Sequence, residues 1–261
     1  MLGAIEIRLI GWLQLKKKKS LRKGEAAAAL NLSSLQENCL LSRLENKGSI
    51  CRIKRGLYLV PDYLPPGGKW NPGGNVVLYS LMKSVGASYQ ISGPTAFQLY
   101  GLDDQIPNLT YVYNDKISGR RKLGELTFIF IKVSKKWLGS TKVLIQEQQN
   151  AINTPTLTRT LVDAVYDWKR FNTLPKAFKW IKDNSQNKVS CRALTEDTLR
   201  YGNIATRKRI GFTLEKMGKK AFADLIKKSV SRNLSLIPYD PSAPTRGVKI
   251  ESWGIIDNSS N

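Results

Sequence analysis

The chain has 261 residues, 41% of them hydrophobic, and a net charge of +22. That length allows two domains with a core each, and a pI near 10.0 points to a polyanionic partner, nucleic acid before an acidic membrane surface. The lack of histidine excludes His-based triads and His-metal sites, and three cysteines without paired spacing indicate neither a disulfide framework nor a zinc centre.

Residues 1–60 hold twelve Lys/Arg against four Glu and are about twice as basic per residue as the remainder of the chain. There Leu2, Ile5, Leu9, Trp12 and Leu13 recur at helical spacing, and Lys16 to Lys19 suit the negative end of that helix's dipole. The stretch does not read as a signal peptide, because Glu6 and Arg8 interrupt it and the lysines follow rather than precede it. No other apolar run approaches the roughly 20 residues that cross a bilayer. A soluble, cytoplasmic protein with no membrane partner is therefore expected, membrane-surface binding through Leu2 to Lys19 being the lesser reading.

Lys23-Gly24 opens a short Ala-rich helix, Glu25 to Leu30, and Asn31-Leu32-Ser33 breaks it. Ser33 or Ser34 can cap a third helix that ends near Lys47, with Gly48 just past its end. Ser49 to Val60 then reads as two short strands around Lys54-Arg55-Gly56, the glycine supplying the positive φ of a tight hairpin. Paired prolines and glycines in 64–74 mark a linker. The expected organisation is a winged helix-turn-helix over 1–63, the linker 64–74, and a larger mixed domain over 75–261.

That second part should begin with helices at Val76 to Val85 and from a Ser92 cap through Pro94 to Tyr100, stopped by Gly101. Strands follow near Thr110 to Asn114, Leu126 to Val133 and Lys142 to Gln146. Helices at Thr156 to Asp167, Pro175 to Asn184, Ala205 to Met217 and Lys219 to Val230, and a strand at Val248 to Ile256, complete it. With no regular βαβ period, the fold class is α+β (mixed α/β).

On a helical wheel of the third helix, Leu40, Leu41 and Leu44 share one side, and Asn38, Ser42, Arg43 and Asn46 the other. Asn can pair with adenine and Arg with guanine, while Ser42 or Gln36 can reach phosphates or base edges. Such a helix fits the major groove as the second helix of a helix-turn-helix does. Arg52, Lys54 and Arg55 of the hairpin would face the phosphates and supply sequence-independent affinity. A small bundle with a merely solvated polar face would explain the helix alone, but the ordered set of elements favours DNA. A second basic zone spans Arg192 to Arg232, eleven Lys/Arg against four acids. Arg207, Lys208 and Arg209 form its candidate patch, for which a solvated surface is an equal reading.

No glycine-rich phosphate loop appears. Asp163 and Asp167, at i and i+4, could contribute to a carboxylate-metal nuclease, yet a helix-surface or capping role is the commoner use of such aspartates. The expectation is a non-enzyme without cofactor or metal. An RNA-binding protein is the other alternative, but Trp12, Tyr58, Tyr100, Trp168 and Trp180 sit mainly in apolar patterns that favour core roles over base stacking.

The chain also resembles the antitoxins of AbiE-type abortive-infection systems, a class of toxin-antitoxin system used in phage defence. The resemblance rests on Ile53-Lys54-Arg55-Gly56-Leu57-Tyr58-Leu59-Val60-Pro61, on the run from Tyr89 to Leu102 around Ser92-Gly93-Pro94, on Thr158-Arg159-Thr160-Leu161-Val162-Asp163-Ala164, and on Arg207-Lys208-Arg209-Ile210-Gly211-Phe212 leading to Gly218. It implies an N-terminal domain that binds inverted repeats in double-stranded DNA of its own promoter and represses it. It further implies a C-terminal domain that neutralises a nucleotidyltransferase-like toxin without a lasting complex. The long N-terminal helix and its lysine run depart from the family pattern.

Overall fold

A computed structural model describes residues 2–105, 107–146, 150–230 and 235–259. The chain begins with α1 (Ala4–Leu15), β1 (Ser20–Arg22), α2 (Glu25–Leu30), α3 (Ser34–Asn46), β2 (Cys51–Lys54) and β3 (Leu57–Leu59). It continues with α4 (Gly74–Val85), β4 (Tyr89–Ser92), α5 (Gly93–Leu99), β5 (Thr110–Asn114), β6 (Gly119–Leu123) and β7 (Leu126–Lys132). A 3-10 turn at Lys135–Trp137 leads to β8 (Thr141–Gln146), β9 (Asn150–Pro155), α6 (Leu157–Tyr166), α7 (Trp168–Phe171) and α8 (Lys176–Asn184). The last elements are α9 (Lys188–Tyr201), α10 (Ile204–Lys216), α11 (Lys220–Val230), β10 (Ile237–Pro238), β11 (Val248–Ile250) and β12 (Ile255–Asp257). The fold is α+β.

Two compact units divide the chain: 1–89, 114–132 and 145–152 form the first, and the remainder the second. The proline-glycine segment 64–74 therefore falls inside the first unit. It is held there by hydrogen bonds: Ser49 Oγ donates to the Gly68 carbonyl at 3.0 Å, and the Trp70 N–H donates to the Gly48 carbonyl at 2.8 Å. These backbone groups find partners in the turn between α3 and β2, so the segment is packed rather than a bare spacer.

In the first unit the strand order is β1-β3-β2, all antiparallel, with Ser20 opposite Leu59 and Cys51 opposite the other side of the same residue. Three helices precede this hairpin, with a short strand between the first two helices. Its core is Leu9, Leu13, Leu21, Ala26, Leu40, Leu41, Leu44, Ile50, Tyr58 and Val60. Leu40, Leu41 and Leu44 are each no more than 1% exposed, as their helical spacing requires.

Two buried carboxylates fix the helices to one another. Glu6 on α1 accepts the Gly3 N–H at the start of its own helix, and also the Lys47 ammonium just past α3 at 2.7 Å. That ammonium, foremost, holds the Glu6 carboxyl below its ordinary pKa. Glu37 on α3 accepts the Gly24 and Ala27 N–H groups, satisfying otherwise unpartnered donors at the start of α2.

In the second unit α6, α8, α9, α10 and α11 surround a core that includes Leu161, Val165, Ile181, Leu194, Ile210, Leu214, Ile226 and Trp253. Gly211 in α10 is required by close approach, because a Cβ there would stand 2.3 Å from the Trp253 ring. The sequence predicts one strand at Val248 to Ile256, and the structure corrects this. The chain turns at Glu251 to Gly254, burying Trp253, so that β11 and β12 pair antiparallel with Ile250 opposite Ile255, and β10 joins β12 in parallel.

Candidate nucleic-acid interface

The face of α3 opposite its leucines is open. Gln36, Asn38, Ser42, Arg43 and Asn46 are all exposed, and Asn38, Ser42 and Asn46 follow one another at four-residue steps along a single ridge. Gln36 also completes the predicted cap: its side-chain oxygen accepts the Ser33 N–H at 2.8 Å, while its own N–H donates to Ser33 Oγ at 3.2 Å. The α2-α3 turn is tight because Asn31 adopts the left-handed conformation, φ 54°. Arg43 leans toward α1, its Nε 3.9 Å from a Glu6 oxygen, and with 60% of its side chain exposed it remains accessible.

Leu35, 73% exposed, and Cys39, also exposed, lie on this same face. Sequence reasoning gave neither a role. Both line a 330 Å³ depression with Ile5, Gln36 and Arg43.

The hairpin residues divide in two. Arg52 and Arg55 are exposed, and Gly56 at φ 73° makes the tight turn that projects Arg55. Lys54 is half-buried, and its ammonium donates to the Ser84 carbonyl in the last turn of α4 at 2.9 Å. Its charge is thus already engaged at a helix C-terminus, where cations are favoured. Beside the hairpin a 780 Å³ cavity is lined by Arg22, Leu57, Trp70, Tyr79 and Lys83, among others. Of the lysine run, Lys18 pairs with Glu25 and lies over the Trp12 ring, whereas Lys16, Lys17 and Lys19 are exposed.

The candidate second patch is not an open surface. Lys208 is fully buried with its ammonium on the Ser235 carbonyl at 2.6 Å, and burial lowers its pKa. Arg209 is 6% exposed and donates to the Pro238 and Tyr239 carbonyls, and Arg207 donates to those of Leu199 and Gly202. All three hold backbone turns together, which consecutive cations in a sequence do not reveal. Arg232, at the end of that basic zone, lies outside the described residues.

Asp163 is likewise neither on a helix surface nor a cap. It is 1% exposed and accepts Arg159 Nε at 2.8 Å, while the Arg159 guanidinium is stacked between the rings of Trp137 and Tyr201, at 4.1 and 3.8 Å from their centroids. Burial raises the Asp163 pKa to about 7. Asp167 stands at the junction of α6 and α7 without a side-chain cap bond, and its carboxylate accepts the Tyr113 hydroxyl at 2.7 Å and Arg170 Nε at 3.2 Å. Asp197 accepts the Ser140 and Thr158 hydroxyls. The Thr158 to Ala164 motif thus builds a buried polar network, and no group of three metal-ligating side chains occurs among the described residues.

Among solved structures, the chain is similar to the crystal structure of the RV2827C protein from Mycobacterium tuberculosis. The two match with a TM-score of 0.65 at 12% identity, over 99% of this chain and 92% of that one. At such identity the likeness is one of fold. No family model and no curated protein matches the chain. No helix among the described residues is long and apolar enough to cross a membrane.

Proposed function

We propose that the chain is a DNA-binding autorepressor and an antitoxin of the AbiE type, reading its operator with α3 and opposing a nucleotidyltransferase-like toxin through its second unit. The observation that carries the DNA half is the open row of Gln36, Asn38, Ser42, Arg43 and Asn46 on a helix locked to α2 by the buried Glu37. A winged helix-turn-helix places the corresponding helix in the major groove, where amide and guanidinium side chains discriminate bases. Arg52 and Arg55 extend the contact to phosphates. The five aromatics considered for base stacking favour DNA over RNA, since Tyr58 and Trp180 are buried and Trp12, Tyr100 and Trp168 partly so.

The antitoxin half rests on the family resemblance of the motifs at 89–102, 158–164 and 207–218. Two copies on inverted half-sites would multiply the modest affinity of one module. The test is binding to the chain's own upstream DNA and to matched RNA across a range of salt. Preference for the upstream duplex supports the proposal; equal affinity for both, without sequence preference, removes it. Co-expression with an adjacent nucleotidyltransferase-like gene tests the rest, the expected result being relief of toxicity without co-purification.

A further inference from the structure

Strand β6 carries Gly119-Arg120-Arg121-Lys122-Leu123, three consecutive cations. Arg120 and Lys122 are exposed and alternate onto one face, opposite Ile129 and Thr127 of β7. Arg121, on the other face, lies over the Phe130 ring at 5.8 Å. None of the three forms an ion pair with a carboxylate among the described residues.

The β6-β7 hairpin belongs to the same compact unit as the winged helix, and two close approaches hold it there. At its turn a Cβ on Gly124 would lie 3.3 Å from Cys51 Sγ, at the start of β2. Immediately after the turn, Leu126 Cδ1 stands 3.1 Å from where a Cβ on Gly74 would be, at the start of α4. The cations are therefore on a braced hairpin that abuts the strand carrying Arg52 and leading to Arg55.

We infer that β6 is a second phosphate-binding element of the same DNA footprint, so that the duplex is held by the wing and, beyond it, by Arg120 and Lys122. This rests on the DNA-binding reading above and deepens it. The occupant is the phosphate backbone rather than base edges: ammonium and guanidinium groups spaced along a strand without carboxylate partners match a line of phosphates and carry no base code. Strand β6 lies at the edge of its sheet, bonded to β7 alone, and cations on an edge strand also serve to prevent edge-to-edge pairing of sheets; the test separates the two roles.

The full-length Arg120→Ala/Lys122→Ala variant is compared with the wild type for binding to upstream and random duplexes across salt, for hydroxyl-radical footprints, and for oligomeric state. The expected result is weaker binding to both duplexes alike, a log-log salt slope shallower by about 2, at about 0.9 for each phosphate no longer neutralised, and loss of protection on one flank only. Arg120→Glu/Lys122→Glu should deepen each effect. A wild-type slope and footprint in both variants would overturn the inference while leaving the α3 reading intact, and self-association as the sole change would assign the cations to edge protection. Failure of the wild-type chain to bind any duplex would instead remove the parent reading.

Discussion

Glu37 receives the Gly24 N–H through both carboxylate oxygens, at 2.8 and 2.9 Å, so the third helix itself caps the second. With Glu37 only 1% exposed, the angle between the helices is set by a buried carboxylate as well as by apolar packing. Glu37→Ala should leave the two N–H groups without a protein partner and cost about 1–3 kcal/mol, measured by denaturant unfolding. Glu37→Gln retains an acceptor and should cost less. Equal stability of both variants and the wild type would show that leucine packing alone fixes the pair.

Arg55 and Lys54 are neighbours in sequence with different work to do. Arg55→Ala should weaken operator and random DNA alike and make the salt slope shallower by about 0.9, the value for a single phosphate. Lys54→Ala removes the ammonium that meets the Ser84 carbonyl and should lower stability by about 1 kcal/mol. Salt-dependent binding and thermal unfolding of both variants distinguish these effects, and the reverse pattern would place Lys54 on the DNA.

Lys208 and Arg209 should behave as structural residues. Lys208→Ala empties a buried side-chain site and removes its bond to the Ser235 carbonyl, and Arg209→Ala takes the guanidinium from the buried Tyr239 carbonyl, so each should lower the melting temperature with no separate effect on DNA binding by the folded protein. A loss of DNA affinity at wild-type stability would return these cations to the interface.

Asp163 gives a pH dependence with a definite sign. Its folded pKa of about 7 lies above the carboxylate's usual value near 4. Between those values the folded chain holds a proton that the unfolded chain has released. Its contribution to stability therefore falls as pH rises through that window and is level above it. Asp163→Asn should remove that decline, so the gap in melting temperature between variant and wild type changes from about pH 4 to about pH 7. A gap that is constant with pH would contradict the assignment.

Periodicity and capping made much of the first unit legible. Leu40, Leu41 and Leu44 declare their face by spacing, Ser33 and Gln36 form the cap that their types suggest, and Gly56 marks the hairpin. Strand β1 escaped because Ser20-Leu21-Arg22 offers one apolar residue after a lysine run. Helix α9 escaped because Thr195, Asp197 and Thr198 lie on its buried side. Strand β6 shows no apolar alternation at all. At the candidate sites, exposure of the α3 polar row could be read from the wheel. The internal use of Lys54, Arg159, Lys208 and Arg209 could not, since their partners are mostly backbone carbonyls or rings distant in sequence, fixed only by the tertiary fold.

The most direct test of the proposal that α3 reads DNA is the ratio of affinities for the upstream duplex and a scrambled duplex, measured at one salt concentration for the wild type, Arg43→Ala and Asn46→Ala. Each substitution should reduce that discrimination by about 1–3 kcal/mol without altering the unfolding midpoint. Full wild-type discrimination in both variants would mean that α3 does not read the DNA.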